Sequence, residues 1–375
     1  MSPAAGKERV MKRDSVTINQ GIFMVLLFMF GSSVIMGVNT IVVQDTWIAM
    51  LLGALIALPL LLMYGQILSR FPGKDLFEIA EITLGKKFGL LVTLAVTWYA
   101  LHLAALVLRD FSDFVHITLL AETPQLPILL LMILTSVYLT RSGVRAIGKW
   151  SVAIILFVFS VVIFTFAAAL RLIQLDDILP FMEHPPQKIL YAGAQIASFP
   201  YAESVLFLCL GGAFPKGQPK RIYVTALLIS TVIFLLTFLR NITLLGPKMY
   251  EVNFYPSYVT ARIIQLGNFL TRIEGSISSN FLMTGIVKIS VCLTAAAKGI
   301  SRLCNLPDYK TMAMPAGMFV FMLSLMLYDN TMDVFHFLDY YLIYAVPFQV
   351  LIPLLIFFVA EVEARRSRKS LRQGG

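Results

Sequence analysis

The sequence predicts an all-α integral membrane protein of ten transmembrane helices, arranged as two inverted repeats of five with the first helix of each repeat broken. Three observations carry this reading. Apolar residues make up 58% of the chain and charged ones only 14%, with a mean hydropathy of +0.81, far outside the soluble globular range. The apolar residues gather into runs of about 20, the length that crosses a bilayer. Two of those runs, at corresponding places in the two halves, carry glycine, serine or proline at mid-span.

The ten runs cover residues 18–40, 47–69, 88–112, 125–140, 144–171, 189–212, 221–245, 271–297, 312–328 and 336–361. Residues 1–17 form a basic cytoplasmic tail, with Lys7, Arg9, Lys12 and Arg13 ahead of the first run. That arrangement resembles a signal peptide, but no small-residue cleavage pattern follows and the run is long enough to span, so it reads as a retained helix. Residues 18–171 make the first five-helix repeat, 172–188 an outside loop, 189–361 the second repeat, and 362–375 a basic cytoplasmic tail. With the N-terminus inside, the cytoplasmic segments collect Arg70, Lys74, Lys86, Lys87, Arg141, Arg145, Lys149, Lys216, Lys220, Arg221, Lys298, Arg302, Lys310 and the tail. Outside lie only Arg109, Arg171, Lys188, Arg240, Lys248, Arg262 and Arg272, a bias that places both termini in the cytoplasm. The net charge of +9 is therefore topology and lipid contact; it does not point to nucleic acid.

The first break is Gly31-Ser32-Ser33 with Gly37, inside "FMFGSSVIMG"; the second is Ser198-Phe199-Pro200-Tyr201-Ala202-Glu203, inside "QIASFPYAESVLF". Proline removes a backbone donor and clashes with the carbonyl four residues back, and glycine eases unwinding. Each alone reads equally as a kink or packing residue of a membrane helix. Their matched positions point to an inverted-repeat transporter fold with a site at the bilayer midplane, because irregular backbone at that depth must be covered by protein or line a cavity. Two shorter segments belong to the membrane surface. Residues 74–87 fit an in-plane cytoplasmic helix, and 257–270 an outside interfacial helix with Val259, Ile263, Leu266 and Leu270 on one face.

Half-helix N-termini present free N–H groups and a positive dipole end to whatever fills the gap, which suits a carboxylate. The backbone around Gly31, Ser32, Ser33 and Ser198 is the candidate cradle, with Phe199, Tyr201 and Glu203 beside it and Tyr99, or its neighbours Trp98 or His102, closing it from the third span; Tyr99 reads equally as a packing residue with a satisfied hydroxyl. Ionisable residues within spans mark a pathway or a pair, and Glu203 and Lys288 stand out. Either they neutralise each other as a structural pair, or Lys288 supplies a fixed positive charge while Glu203 meets a ligand amine or relays protons. The eighth span opens with a wet stretch, Ser276, Ser278, Ser279 and Asn280, which serves either as interhelical glue or as the lining of a passage. Asp339, Tyr340, Tyr341, Tyr344 and Pro347 in the tenth divide between aromatic belt and cavity. No enzyme, metal or cofactor motif is present: the four histidines are scattered, and neither HExxH, CxxC, Walker nor GxGxxG spacing occurs.

Beyond these patterns, "QDTWIA" after the first span, "FPYAESVLF" in the sixth and above all "YPSYVTARIIQLGNFLTRIEGSISSNFLMTGIVKI" over 255–289 resemble the B subunits of bacterial spore germinant receptors, along nearly the whole chain. Phe269, Arg272, Glu274 and Lys288 keep that family's spacing. The family is similar to amino-acid permeases of the amino acid-polyamine-organocation superfamily, and the resemblance implies a LeuT-type fold. It further implies a place in the spore inner membrane beside an A subunit and a lipoprotein C subunit, with binding of a small, amino-acid-like germinant helping to trigger ion release. A proton- or sodium-coupled amino-acid permease on the same fold is the alternative. The chain departs from the family pattern in its serine-rich stretch after Glu274 and in Phe281, where an apolar run ending in tryptophan is expected.

Overall fold

A reciprocal cap opens the first helix: Thr17 Oγ1 accepts the Gln20 N–H at 3.3 Å and Gln20 Oε1 accepts the Thr17 N–H at 2.9 Å, satisfying two donors that a helix start leaves free. The computed structural model describes residues 14–37, 41–120, 122–173, 179–180, 182–264, 273–328 and 330–373. Helix α1 (Ile18–Phe30) is buried at every position from Met24 to Phe30, the mark of a helix surrounded by others. It stops at Gly31, and the chain resumes as the single turn α2 (Ser33–Met36), which ends at Gly37 with φ 78°. The expected first span of 18–40 is thus two pieces, with 38–40 outside the described residues.

The remaining helices follow as α3 (Thr46–Arg70), α4 (Leu76–Thr118), α5 (Gln125–Ser142) and α6 (Val144–Ala169). The second half begins with α7 (Pro186–Ile196), which passes through a π turn, Ala197–Tyr201, into a 3₁₀ stretch, Ala202–Ala213. Phe199 sits at φ −124° and ψ 114° inside that turn, so the helical ladder is interrupted where Pro200 has no N–H to give. Then come α8 (Pro219–Val252), α9 (Pro256–Ile263), α10 (Ile273–Leu303), α11 (Ala313–Met326), α12 (Thr331–Val346), a second π turn at Pro347–Leu351, and α13 (Ile352–Gln373). Among the described residues nine helical stretches are long and apolar enough to cross a membrane; α1 is the shorter, tenth apolar helix. α1 packs between α6, α8 and α10, while α10 lies along α4, α5 and α6, so both breaks are enclosed by other helices.

Two boundaries differ from the sequence reading, while the expected separate helix ahead of the third span is present. The third span runs six residues past its expected end, to Thr118, and buries Arg109, Asp110, Ser112 and Asp113; Arg109 is covered by protein here because Asp113 accepts its Nε–H at 2.9 Å. The segment before the third span is a separate helix: Gly85 at φ 78° breaks α4, and Leu76, Phe77, Ile79 and Ala80 pack into the core with Ile82 exposed. Helix α9 turns Ser257, Tyr258, Thr260 and Ala261 inward and exposes Ile263, because Ser257 and Tyr258 find partners inside: Ser257 donates to Val34 O at 2.5 Å and Tyr258 to Thr118 O at 2.9 Å. Residues 265–270 of the expected 257–270 helix, Phe269 among them, lie outside the described residues, as do Arg272 and the side chain of Glu274.

Candidate functional site between the broken helices

Lys288 on α10 reaches into the first break. Its Nζ donates to Glu203 Oε2 at 2.5 Å, both side chains being fully buried. It lies 5.2 Å from the centre of the Phe28 ring and 5.0 Å from that of Phe199, where the ring faces attract a cation. A side chain at Gly31 would stand 2.5 Å from Lys288 Cδ, so glycine is what lets the lysine stem cross the break. Glu203 Oε1 accepts a hydrogen bond from the Tyr341 hydroxyl at 2.6 Å, and Tyr341 meets the Tyr99 hydroxyl at 2.9 Å. Gln349, turned inward by the second π turn, donates to the Tyr99 oxygen at 2.9 Å and to Ser198 O at 3.1 Å, and accepts from Ser198 Oγ at 2.9 Å. One polar chain therefore joins α10, the sixth-span break, α4 and the last span at the core of the bundle.

Two cavities flank this chain. The outer one, about 300 Å³, opens between Gly37, Gln195, Asn253, Phe254, Phe335 and Asp339. The inner one, about 30 Å³, is lined by Ser32, Asp110, Glu203 and apolar side chains of α4 and α12, room for little more than one or two waters. Met36, Phe199, Leu338 and Tyr341 line both and form the partition between them. Asp110 faces the inner cavity with Oδ2 buried and without a partner among the described residues. Just beyond it Tyr255, between spans, is held well above its usual pKa, first by burial and then by the Asp110 and Asp113 carboxylates, and so keeps its proton.

The structure places Ser32, Phe199 and Glu203 on the inner cavity, with Lys288 and Gly31 behind Glu203, Tyr99 bonded to the lining Tyr341, and Ser198 reached from Tyr99 through Gln349. Two residues face elsewhere. Ser33 lines a small space against Phe234 and Thr237 of α8, and the Tyr201 hydroxyl pairs with Thr231 Oγ1 at 2.9 Å, on the α8 side of the break. Residues next to each other in a helical turn point about 100° apart, which here turns Ser32 toward α4 and α12 and Ser33 toward α8.

The match to the family model described as "Spore germination protein" runs over residues 15–334. The chain belongs to the spore germination protein family. Relatives of this family member include spore germination protein KB of Bacillus subtilis (strain 168), 26% identical, with 96% of this chain and 98% of the relative covered. Spore germination protein B2 of the same organism is 21% identical, with 87% and 89% covered. Among solved structures, Mhp1, a nucleobase-cation-symport-1 family transporter in a closed conformation with bromovinylhydantoin bound, matches with a TM-score of 0.71 at 13% identity, covering 92% of this chain and 78% of that one. MhsT in complex with L-phenylalanine matches with a TM-score of 0.64 at 13% identity, covering 92% and 89%. These likenesses establish the fold as LeuT-type, five helices plus five with helices one and six broken.

The spore germination protein carries two functional candidates that sequence reasoning did not single out. Asp110 lay two residues from the expected end of the third span, where a charge reads as interfacial. Gln349 is neutral within an apolar run. The signal that points to both is helical phase: Asp110 follows Tyr99 by 11 residues, three turns on the same face, and Pro347 shifts the register that aims Gln349.

Proposed function

We propose that this multi-pass membrane protein is the B-type subunit of a spore germinant receptor, and that it binds a small amino-acid-like germinant at the two breaks. The observation that carries the reading is the meeting of both interrupted helices at two cavities, of about 30 and 300 Å³, divided only by Met36, Phe199, Leu338 and Tyr341, with Asp110 Oδ2 unpartnered among the described residues in the smaller one. A ligand larger than a water or two is taken up when that partition swings aside and the two spaces join. A zwitterion matches the site. Its carboxylate meets N–H groups near Gly31, Ser32, Ser33 and Ser198, its ammonium meets Asp110, and Phe199 covers it, while Tyr99, Tyr201 and Glu203 brace the surrounding turns. The ligand biases the bundle by its differential affinity for two arrangements of the half-helices. An A subunit and a lipoprotein C subunit in the spore inner membrane, with the termini of this chain on the core side, read that bias and release ions. Phe269, Arg272 and Glu274, the motif ahead of Lys288, belong to the same reading.

Thermal unfolding of the purified protein, scanned across amino acids and sugars, tests this, since a ligand that binds the native state raises the apparent Tm by mass action. One ligand class should give a saturable rise, and Asp110→Asn and Phe199→Ala should each weaken its midpoint at least tenfold, about 1.4 kcal/mol. An unchanged midpoint in both folded variants overturns the site. The buried Lys288–Glu203 pair favours a second reading, a proton- or sodium-coupled amino-acid permease, because intramembrane charges also serve relays. Net uptake by proteoliposomes of this chain alone decides for the permease.

A further inference from the structure

Three cations are buried among the described residues, Arg109, Arg240 and Lys288. Arg109 has Asp113 and Lys288 has Glu203. Arg240, in α8 and only 3% exposed, has neutral partners: Nη1 donates to Thr165 Oγ1 at 2.6 Å, and Nε and Nη2 donate to Asn241 Oδ1 at 3.1 and 2.8 Å. A guanidinium stays charged and carries five N–H donors, so among the described residues two of them and the whole charge are left over. At this depth an uncompensated charge is costly and is ordinarily met by an ion or a carboxylate.

Beside Arg240 lies a cavity of about 20 Å³ on the far side of the first span from the two described above, enclosed by α1, α2, α6, α8 and α10. Thr237 and Asn280 also line it, each 6% exposed, and Thr237 Oγ1 and Asn280 Oδ1 have no partner among the described residues. The Asn280 oxygen and nitrogen exchange places by a half-turn of the amide, which presents an N–H to the same space. Guanidinium, hydroxyl and amide donors thus converge on a hole that holds a single water-sized particle, with Phe30 and Phe281 as apolar walls. A water would take up the donors and leave the charge; a monatomic anion takes up both.

We infer that this cavity is a binding site for one small monovalent anion of the halide class, separate from the germinant site and independent of it. The anion neutralises Arg240. Through Asn241, whose Nδ2 donates to Ser257 Oγ at 2.9 Å, and Ser257, which donates to Val34 O, the filled site steadies the outer half of the broken first span against α9.

The test is thermal unfolding of the full-length protein, prepared in sodium gluconate and titrated at constant ionic strength with sodium chloride, sodium bromide or further gluconate. Chloride and bromide should each raise Tm saturably by several degrees, gluconate should not, and Arg240→Met should abolish the halide response. A response equal in gluconate, absent in the wild type, or intact in Arg240→Met overturns the site. Should Arg240→Met fail to fold, Thr237→Val serves: a halide midpoint raised tenfold supports the site, and an unchanged midpoint overturns it.

Discussion

Lys288 and Glu203 each answer the other's charge in a place where water does not reach, so neither is removed alone without consequence. Glu203→Gln or Lys288→Met is expected to destabilise the fold by about 3–5 kcal/mol, the size seen when one member of a buried pair is lost. The double variant should recover most of that loss, and a double-mutant cycle of chemical unfolding in detergent measures the coupling. Singles that each cost under about 1 kcal/mol would mean that the pair is not held in the folded state. Both residues were legible in the sequence because a charge inside an apolar run stands out by itself. Asp110 was not, since Arg109 and Asp113 around it made the segment look like a membrane boundary. What the one-dimensional pattern lacks is that Asp113 itself is taken up, by Arg109, by Thr331 at 3.1 Å and by Gln125, leaving its neighbour Asp110 free to face the cavity.

At the level of elements, the two breaks are held open by different means. Pro200 lacks a donor, whereas the first break depends on glycine at two points. Gly31→Ala would drive a methyl group into Lys288 and stand 3.1 Å from Phe28 O; overpacking of that kind costs about 1–3 kcal/mol. Gly37 holds φ 78° and ψ 163°, a region open essentially to glycine, so Gly37→Ala should cost about 1–3 kcal/mol. The two differ in readout: under the proposed function, Gly31→Ala also weakens the ligand-induced rise in Tm by displacing Lys288, while Gly37→Ala lowers Tm and leaves the ligand midpoint within twofold. The breaks themselves could be read from residue type, because proline and glycine act locally. Helix extents could not, since the continuation of α4 to Thr118 rests on burial by α5, α12 and α9, which residue type does not report. Of the apolar face expected for α9, Ile263 is exposed for the same reason.

Across the whole molecule, the loop between the two halves is tied to the start of α3 by one carboxylate. Asp45, fully buried at the start of α3, accepts the backbone N–H of Met182 at 2.7 Å and of His184 at 3.0 Å, with His184 Nδ1 at 3.1 Å. This is the aspartate of "QDTWIA", a motif visible in the sequence whose purpose became plain only when the inter-repeat loop folded onto it. Asp45→Ala should cost about 2–4 kcal/mol for the orphaned donors, and limited proteolysis should then cut within 179–185 in the variant and spare the wild type. Five-plus-five architecture was likewise legible, since it needs only the count of apolar runs and the symmetric placement of two defects. The partition formed by Met36, Phe199, Leu338 and Tyr341 sets a clock as well as a boundary. Under the proposed function, a germinant held beneath it passes an aromatic side chain to leave, so the frequency of that swing joins the strength of the ligand's own contacts in setting its residence time. Under the same proposal, a receptor built this way is deaf to brief pulses of germinant and keeps a record of sustained ones.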